Sequence, residues 1–418
     1  MAVFFDKYEI TIDFNKQFKN KTDKDDDSNI DSTSVSFMMK DSIHELYPEL
    51  SMEFKDRTGT FKEYLLTLEG LPLQIWYGLS DEYINCPYII YTDSIEGTYD
   101  NNKITSEINI NAYHEYYDKQ EIKSAAYIKQ TPDTIMNKLV KNENFSSIDI
   151  DSTSNNYNWY QPLVTDAYFM SNMLLPNLVS KNSSDTPFFL FIRSDNSFNL
   201  KSYASMMDAK EVKTLYYVSQ KTVDELEFNT INSFQYFKNG SDFTKELRNR
   251  RLFKFSKDDG SLSEEEDKMT DYPSKVRTGK PYKNNKNLPL FEDDKKSSFW
   301  ILGEGKLEQG KTDNQKGRLI NSMRNSFFLE RYWITTYLDT RLLAGKTINL
   351  NYPSPTSTTN DENSGYFTDK YIIEESQHIW DSSNDENGYG YTRLLVSRKF
   401  LPDLSKQNYK LVESLKKK

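Results

Sequence analysis

The first third of the chain alternates apolar and polar residues with a period of two, the mark of half-buried strands. Tyr8, Ile10, Ile12 and Phe14 point one way, and Lys7, Glu9, Thr11 and Asp13 the other. Leu50, Met52 and Phe54 alternate in the same manner with Ser51, Glu53 and Lys55. So do Ile104, Ser106, Ile108 and Ile110 with Thr105, Glu107 and Asn109. Turn-like stretches separate these runs: the acidic segment 23–31, Asp56-Arg57-Thr58-Gly59, and Asp100-Asn101-Asn102. Short strands at loose, regular spacing predict a β-barrel or sandwich over residues 1–130.

The pattern changes near Thr131. Thr131 followed by Pro132 and Asp133 predicts an N-cap with proline at the first helical position. Ile135, Met136, Leu139 and Val140 then share one helical face. A second helix is expected over 162–175, with Leu163, Val164, Ala167, Leu174 and Leu175 inward and Pro176 ending it. The apolar run 187–192 predicts a buried strand, and Ser194, Asp195, Asn196 and Ser197 a turn. Residues 131–205 therefore read as a small α/β module, a helix with a β-hairpin.

Residues 206–254 read as the start of a second β-rich domain. Segment 255–298 is rich in Lys, Asp, Glu and Asn with few apolar anchors, which predicts an exposed polar excursion. Order resumes at Phe299, Trp300, Ile301 and Leu302; a helical pattern follows at Leu319, Ile320, Met323 and Phe327. Strand patterns return from Tyr332, so 299–402 is expected to form a second β-barrel and 403–418 a tail. The predicted fold is mainly β, with two barrels, the α/β module and a long loop insertion.

Composition supports a sheet protein. Tyr and Phe, 29 and 25 of 418 residues, suit half-buried pleated surfaces. The net charge of -10, with no long basic block before Lys416, Lys417 and Lys418, argues against direct DNA binding, which needs a basic stripe. One cysteine, Cys86, rules out an intramolecular disulfide. The start of the chain lacks the apolar run of a signal peptide. No stretch approaches the roughly 18 apolar residues of a membrane helix, so assembly in a cytoplasm is expected.

One segment fits a catalytic pattern. Residues 305–312, from Gly305 through Gly310, Lys311 and Thr312, match the phosphate-binding P-loop, in which Lys reaches the outer phosphates and Thr binds Mg²⁺. Yet Asp313, Asn314, Gln315, Lys316 and Gly317 offer the following helix nothing apolar to pack on a sheet. Asp339, the best downstream metal carboxylate, follows a mediocre strand, and hairpins rather than βαβ units come next. A polar surface turn is the better reading.

Metal and nucleophile patterns are weaker still. His44, His114 and His378 are far apart, and His114-Glu115 lacks the second histidine of a zinc-protease helix. The acidic run from Asp23 begins like a calcium loop, but Ser28 stands at the glycine position and Ser34 at the bidentate-glutamate position. The pair Glu374 and Glu375 carries little information among so many carboxylates. No nucleophile elbow occurs, and Cys86 has no evident partner. No catalytic, cofactor-binding or metal residues are assigned, and no cofactor is expected.

The clearest pattern lies in 345–398. Leu342, Leu343, Ala344, Gly345, Lys346 and Thr347 form a turn entering a strand in which Ile348, Leu350 and Tyr352 alternate with Asn349 and Asn351. After a polar loop come Ser364-Gly365-Tyr366, then Tyr371-Ile372-Ile373, then His378-Ile379-Trp380. A second polar loop leads to Tyr391, Thr392, Leu394 and Arg398 in a final strand. This order resembles the closing domain of the baseplate hub proteins of contractile phage tails, a family related to the base of type VI secretion spikes. The match is inexact: Thr392 follows Tyr391 directly, and Tyr371 stands well after Gly365. The helix-hairpin module and the N-terminal β-rich region resemble the remaining parts of the same family in the same order.

The resemblance implies a non-enzymatic structural protein of a virion tail baseplate. It implies a homotrimer whose two barrels per subunit join a hexameric tail-tube protein to a threefold central spike protein, beside neighbouring baseplate proteins. DNA would pass non-specifically through its lumen, and no membrane would be involved. In this reading Gly345, Lys346, Gly365, Tyr371, His378, Tyr391, Thr392, Leu394 and Arg398 are architectural. A receptor- or glycan-binding tail protein is the alternative, with Tyr and Trp as sugar-stacking platforms. A P-loop nucleotide-binding protein comes third.

Overall fold

A computed structural model of the 418-residue chain describes residues 7–12, 28–29, 35–56, 69–79, 82–100, 103–117, 121–181, 186–217, 229–237, 249–256, 262–267, 296–303, 317, 320–321, 324–328, 330–351, 368–381 and 389–398. The N-terminal part contributes strands β1 (Lys7–Ile12), β2 (Ser28–Asn29), β3 (Val35–Ser42), β4 (Glu49–Asp56), β5 (Pro72–Leu79), β6 (Glu82–Asp100) and β7 (Lys103–His114). The middle contributes β8 (Lys123–Gln130), α1 (Pro132–Val140), β9 (Ser147–Ile150), β10 (Tyr157–Val164), α2 (Asp166–Tyr168), β11 (Phe188–Ile192), β12 (Ser197–Ser202) and α3 (Tyr203–Asp208). There follow β13 (Lys213–Tyr216), β14 (Ile231–Phe237), β15 (Asn249–Ser256), β16 (Leu262–Asp267) and β17 (Lys296–Gly303). The last described strands are β18 (Glu330–Tyr337), β19 (Thr347–Asn351), β20 (Asp369–Asp381) and β21 (Tyr389–Arg398).

The mainly β expectation holds, and among the described residues the two β-rich ends share one sheet of thirteen strands. Its main path is β14-β18-β21-β20-β3-β4-β7-β6-β5-β1-β2, with β19 and β13 attached beside β20. The join is β3 on β20, antiparallel, from Ser42 opposite Glu375 to Phe37 opposite Trp380. Among the described residues the path stays open, with no closing pair.

Alternation sets the faces. Val35, Phe37 and Met39 of β3 and Leu50, Met52 and Phe54 of β4 are buried, while Ser51, Glu53 and Lys55 are exposed. They share a core with Ile75, Tyr77, Cys86, Tyr88, Ile108 and Ile110, into which β20 inserts Trp380. Each such side chain contributes about 1.5–3 kcal/mol of burial. A one-residue slip would turn a whole strand's set to water, so the register is strongly specified.

The α/β module forms as expected at α1, where Ile135, Met136 and Val140 are buried. It also forms at the β11–β12 hairpin, whose first strand is buried throughout. The second predicted helix needs correction. β10 pairs with β8 as far as Val164, and Thr165 caps the next turn by accepting the Tyr168 N–H at 3.2 Å. The helix therefore starts at Asp166, and Leu163, expected inward, is a bulge residue at φ +44° with 74% exposure. Strand pairing overrode the proline signal at Pro162.

The segment read as a polar excursion contains strand structure, which corrects that reading. β16 lies inside it and pairs with β15, which in turn pairs in parallel with β17. Residues 257–261 and 268–295 lie outside the described residues, as do Gly365 and the P-loop-like segment 305–312.

Candidate functional site

The motif-bearing segment folds into a corner where all three parts of the chain meet. Tyr371-Ile372-Ile373 and His378-Ile379-Trp380, separate on sequence, are one strand, β20. Its first half pairs with β19, Thr347 opposite Ile372, and its second half with β3 on the same edge. The change of partner falls at Glu374, where the ladder to β21 skips a residue between Ile373 and Glu375. That bulge turns Glu374 into the interior.

Glu374 is fully buried and holds the corner together. Arg331 of β18 donates to it through both Nε and a terminal nitrogen, each at 2.9 Å, in a two-pronged grip. His44, in the turn after β3, meets the second carboxylate oxygen at 2.7 Å through Nε2. The Glu374 carbonyl accepts the Ile43 N–H at 2.9 Å. Phe189 of the module and Phe328 pack edge-on against the His44 ring. One carboxylate thus joins the N-terminal and C-terminal strands beside the module's core.

Asp41 makes the second joint. It lies on the inward face of β3 and accepts the Ser194 N–H at 3.0 Å from the module's hairpin turn. It also accepts the Ala344 N–H at 3.2 Å from the turn before β19. Arg193 closes the link by donating Nε to the Ala344 carbonyl at 2.6 Å. Burial pushes the Asp41 carboxyl up to about 7, against the two N–H donors that favour its charge.

The expected motif residues sit around these joints. Gly345 has φ +75° and donates its N–H to Ile373 at 2.8 Å; Lys346, half-buried, accepts the Ile373 N–H at 2.9 Å. Tyr371 and Leu394 belong to one buried cluster with Tyr332, Ile348 and Val396. Arg398 is buried, with its guanidinium 5.6 Å from the Tyr371 ring centre and an ion pair to Asp369 at 3.6 Å. Tyr391 stacks on Tyr389 at 6.1 Å. Gly365 lies outside the described residues.

His378 and Thr392 come together in a third polar cluster. Ser376 Oγ lies 3.1 Å from His378 Nε2 and donates to the Leu342 carbonyl. Thr392 Oγ1 lies 3.5 Å from Nδ1 and accepts the Asp339 N–H at 3.0 Å. The Asp339 side chain pairs with Lys213 at 2.7 Å and Arg341 at 2.9 Å. Burial opposes its charge, but the Arg341 hydrogen bond and Lys213 outweigh that and hold the carboxyl at about 2.

Burial brings His378 down to about 4, so it is neutral in the fold at pH 7. Its folded value lies below the ordinary 6.5, so its contribution is complete above pH 6.5 and is lost as pH falls through 4. That amounts to about 3 kcal/mol at most. Asp41, raised to about 7, acts in the opposite sense, losing its contribution as pH rises through 7. Urea unfolding of wild type and His378→Gln between pH 7 and 4 separates the two. The variant should lose less stability on acidification; an unchanged slope would refute the assignment.

The other histidine is equally committed. His114 Nδ1 accepts the Tyr116 N–H at 3.2 Å, so Nε2 donates to Asn196 Oδ1 at 2.8 Å. Among the described residues no group of three metal-ligating side chains comes together. Sequence reasoning missed Asp41, Arg331 and Glu374. Asp41 could have been found, since alternation in β3 puts it on the same face as Val35, Phe37 and Met39. Glu374 ends the run Tyr371-Ile372-Ile373, a charge continuing an apolar strand, a signal that the adjacent Glu375 disguises as one carboxylate pair among many.

Comparison with known proteins bears on the fold. No protein-family model matches the chain, and no curated protein matches it. Among solved structures, a tail protein from Neisseria meningitidis MC58 superposes with a TM-score of 0.52 at 10% identity, over 95% of this chain and 98% of that one. The 43 kDa tail protein of prophage MuSo2 from Shewanella oneidensis gives 0.51 at 10% identity, over 94% and 100%. An E. coli component of the type VI secretion system is also similar, at 0.44, 8% identity, and 89% and 76% coverage. Over 94–95% of its length the chain shares the fold of the two tail proteins.

Proposed function

We propose that this chain is a structural protein of a phage-type tail baseplate, located at the virion's tail. The observation that carries the reading is the fold likeness, over 94–95% of this chain, to two tail proteins of nearly the same extent. In this reading three copies form a hub between a hexameric tail tube and a threefold central spike, with neighbouring baseplate proteins around it. Each chain supplies two tube-like arcs, 1–130 and 299–402, held edge to edge by β3 and β20. The described sheet path ends at β14 on one side and β2 on the other. A cyclic trimer would bring one end of each copy to the other end of the next, covering edges that otherwise invite aggregation. A net charge of -10 suits a lumen through which DNA slides without sticking.

Class averages of the purified chain in negative stain test the reading. Threefold rings with a central hole are expected. Compact particles without rotational symmetry would overturn it.

A further inference from the structure

The outer face of the N-terminal strands carries a tyrosine cluster that the hub reading does not use. β6 skips a residue between Ile90 and Thr92 in its pairing with β7, and the extra residue is Tyr91. Bulges re-aim side chains. Tyr91 is 48% exposed and stands edge-on to Tyr113 at 5.5 Å and Tyr117 at 6.1 Å. Tyr113 and Tyr117 stack at 5.3 Å, Tyr117 is 45% exposed, and Tyr47 packs edge-on against it at 5.2 Å.

Carboxylates border the rings. Glu49 of β4 is directly opposite Tyr113 in the ladder. Lys40 engages one oxygen of Glu45 at 2.9 Å and one of Glu49 at 3.3 Å, and both glutamates keep side-chain exposures of 46% and 40%. Partial burial and the nearby Glu49 charge together raise the Tyr113 hydroxyl pKa. The surface therefore combines exposed ring area with a net negative border.

The geometry points to a docking surface for an arginine-bearing segment of another protein. A guanidinium stacks on tyrosine faces and takes a carboxylate in a fork, which an ammonium does less well. Tyrosine and arginine also dominate the centres of protein interfaces. Charge complementarity selects the partner: two carboxylates against one ammonium at the border attract a basic segment and repel an acidic one.

Fluorescence anisotropy with labelled hexa-arginine and hexa-lysine peptides at low ionic strength tests it on the full chain. Hexa-arginine should bind more tightly than hexa-lysine. The Tyr91→Ala/Tyr117→Ala double variant should weaken hexa-arginine about fivefold or more, and Glu45→Gln/Glu49→Gln should do likewise. Both ring residues are half-exposed, and a thermal melt checks that the variants fold; Tyr91→Phe should retain binding. Equal affinity for the two peptides, or full binding by the tyrosine variant, would overturn the proposal. So would maltohexaose binding that the tyrosine variant abolishes, or a change in oligomeric mass on tyrosine removal, since these assign the patch to a glycan or to a copy of the chain.

Discussion

Glu374→Ala should cost about 3–5 kcal/mol, the range for removing one member of a buried ion pair. The carboxylate is fully buried and Arg331 nearly so, and the variant removes the carboxylate that this guanidinium grips through two nitrogens, leaving it over the Phe328 ring in the interior. His44 loses its partner in the same step. Domains of this kind are stable by roughly 5–15 kcal/mol, so the loss would dominate a urea titration. Removing both charges should be far milder, because a well-packed apolar pair can replace a buried ion pair at little cost. Glu374→Leu/Arg331→Leu should therefore recover most of the stability, and a double-mutant cycle measures the coupling. Stability within about 0.5 kcal/mol of wild type in Glu374→Ala would contradict the account of the joint.

Gly345→Ala should also be strongly damaging, and Gly70→Ala supplies its control. Both glycines have positive φ, +75° and +83°, so alanine carries a similar backbone cost at each. A Cβ at Gly70 meets nothing within 4 Å. At Gly345 it would stand 2.6 Å from Phe191 Cζ and 3.2 Å from Met206 Sδ, inside the cluster that joins the module to β20. Overpacking of this kind costs about 1–3 kcal/mol. Gly345→Ala should thus lose that much more than Gly70→Ala in the same urea titration. Equal losses would mean that Phe191 and Met206 give way freely and that the turn is not held tightly against the module.

The sequence made the strands legible where one face is wet. In β4 and β19, Leu50, Met52, Phe54, Ile348 and Leu350 are buried as the alternation selects. It also made α1 and the β11–β12 hairpin legible, through a proline at the helix start and a polar turn between apolar runs. It failed where tertiary pairing decides. Pro162 and Leu163 look like a helix start, yet β8 holds them in a strand. Glu374 looks like one carboxylate of many, and only the change of partner along β20 turns it inward. The motif residues are singled out by a resemblance along the chain, which says nothing of their neighbours in space. Gly345 is explained by Phe191 of the module, and His378 by Ser376, Leu342 and Thr392, contacts that no spacing along the chain discloses.

The trimer is the central claim, and mass photometry of the purified chain tests it most directly. The account predicts a dominant species of about 147 kDa, three chains of 49.1 kDa, persisting on dilution to nanomolar concentration. A single species at 49.1 kDa, still monomeric at micromolar concentration by sedimentation, would contradict it.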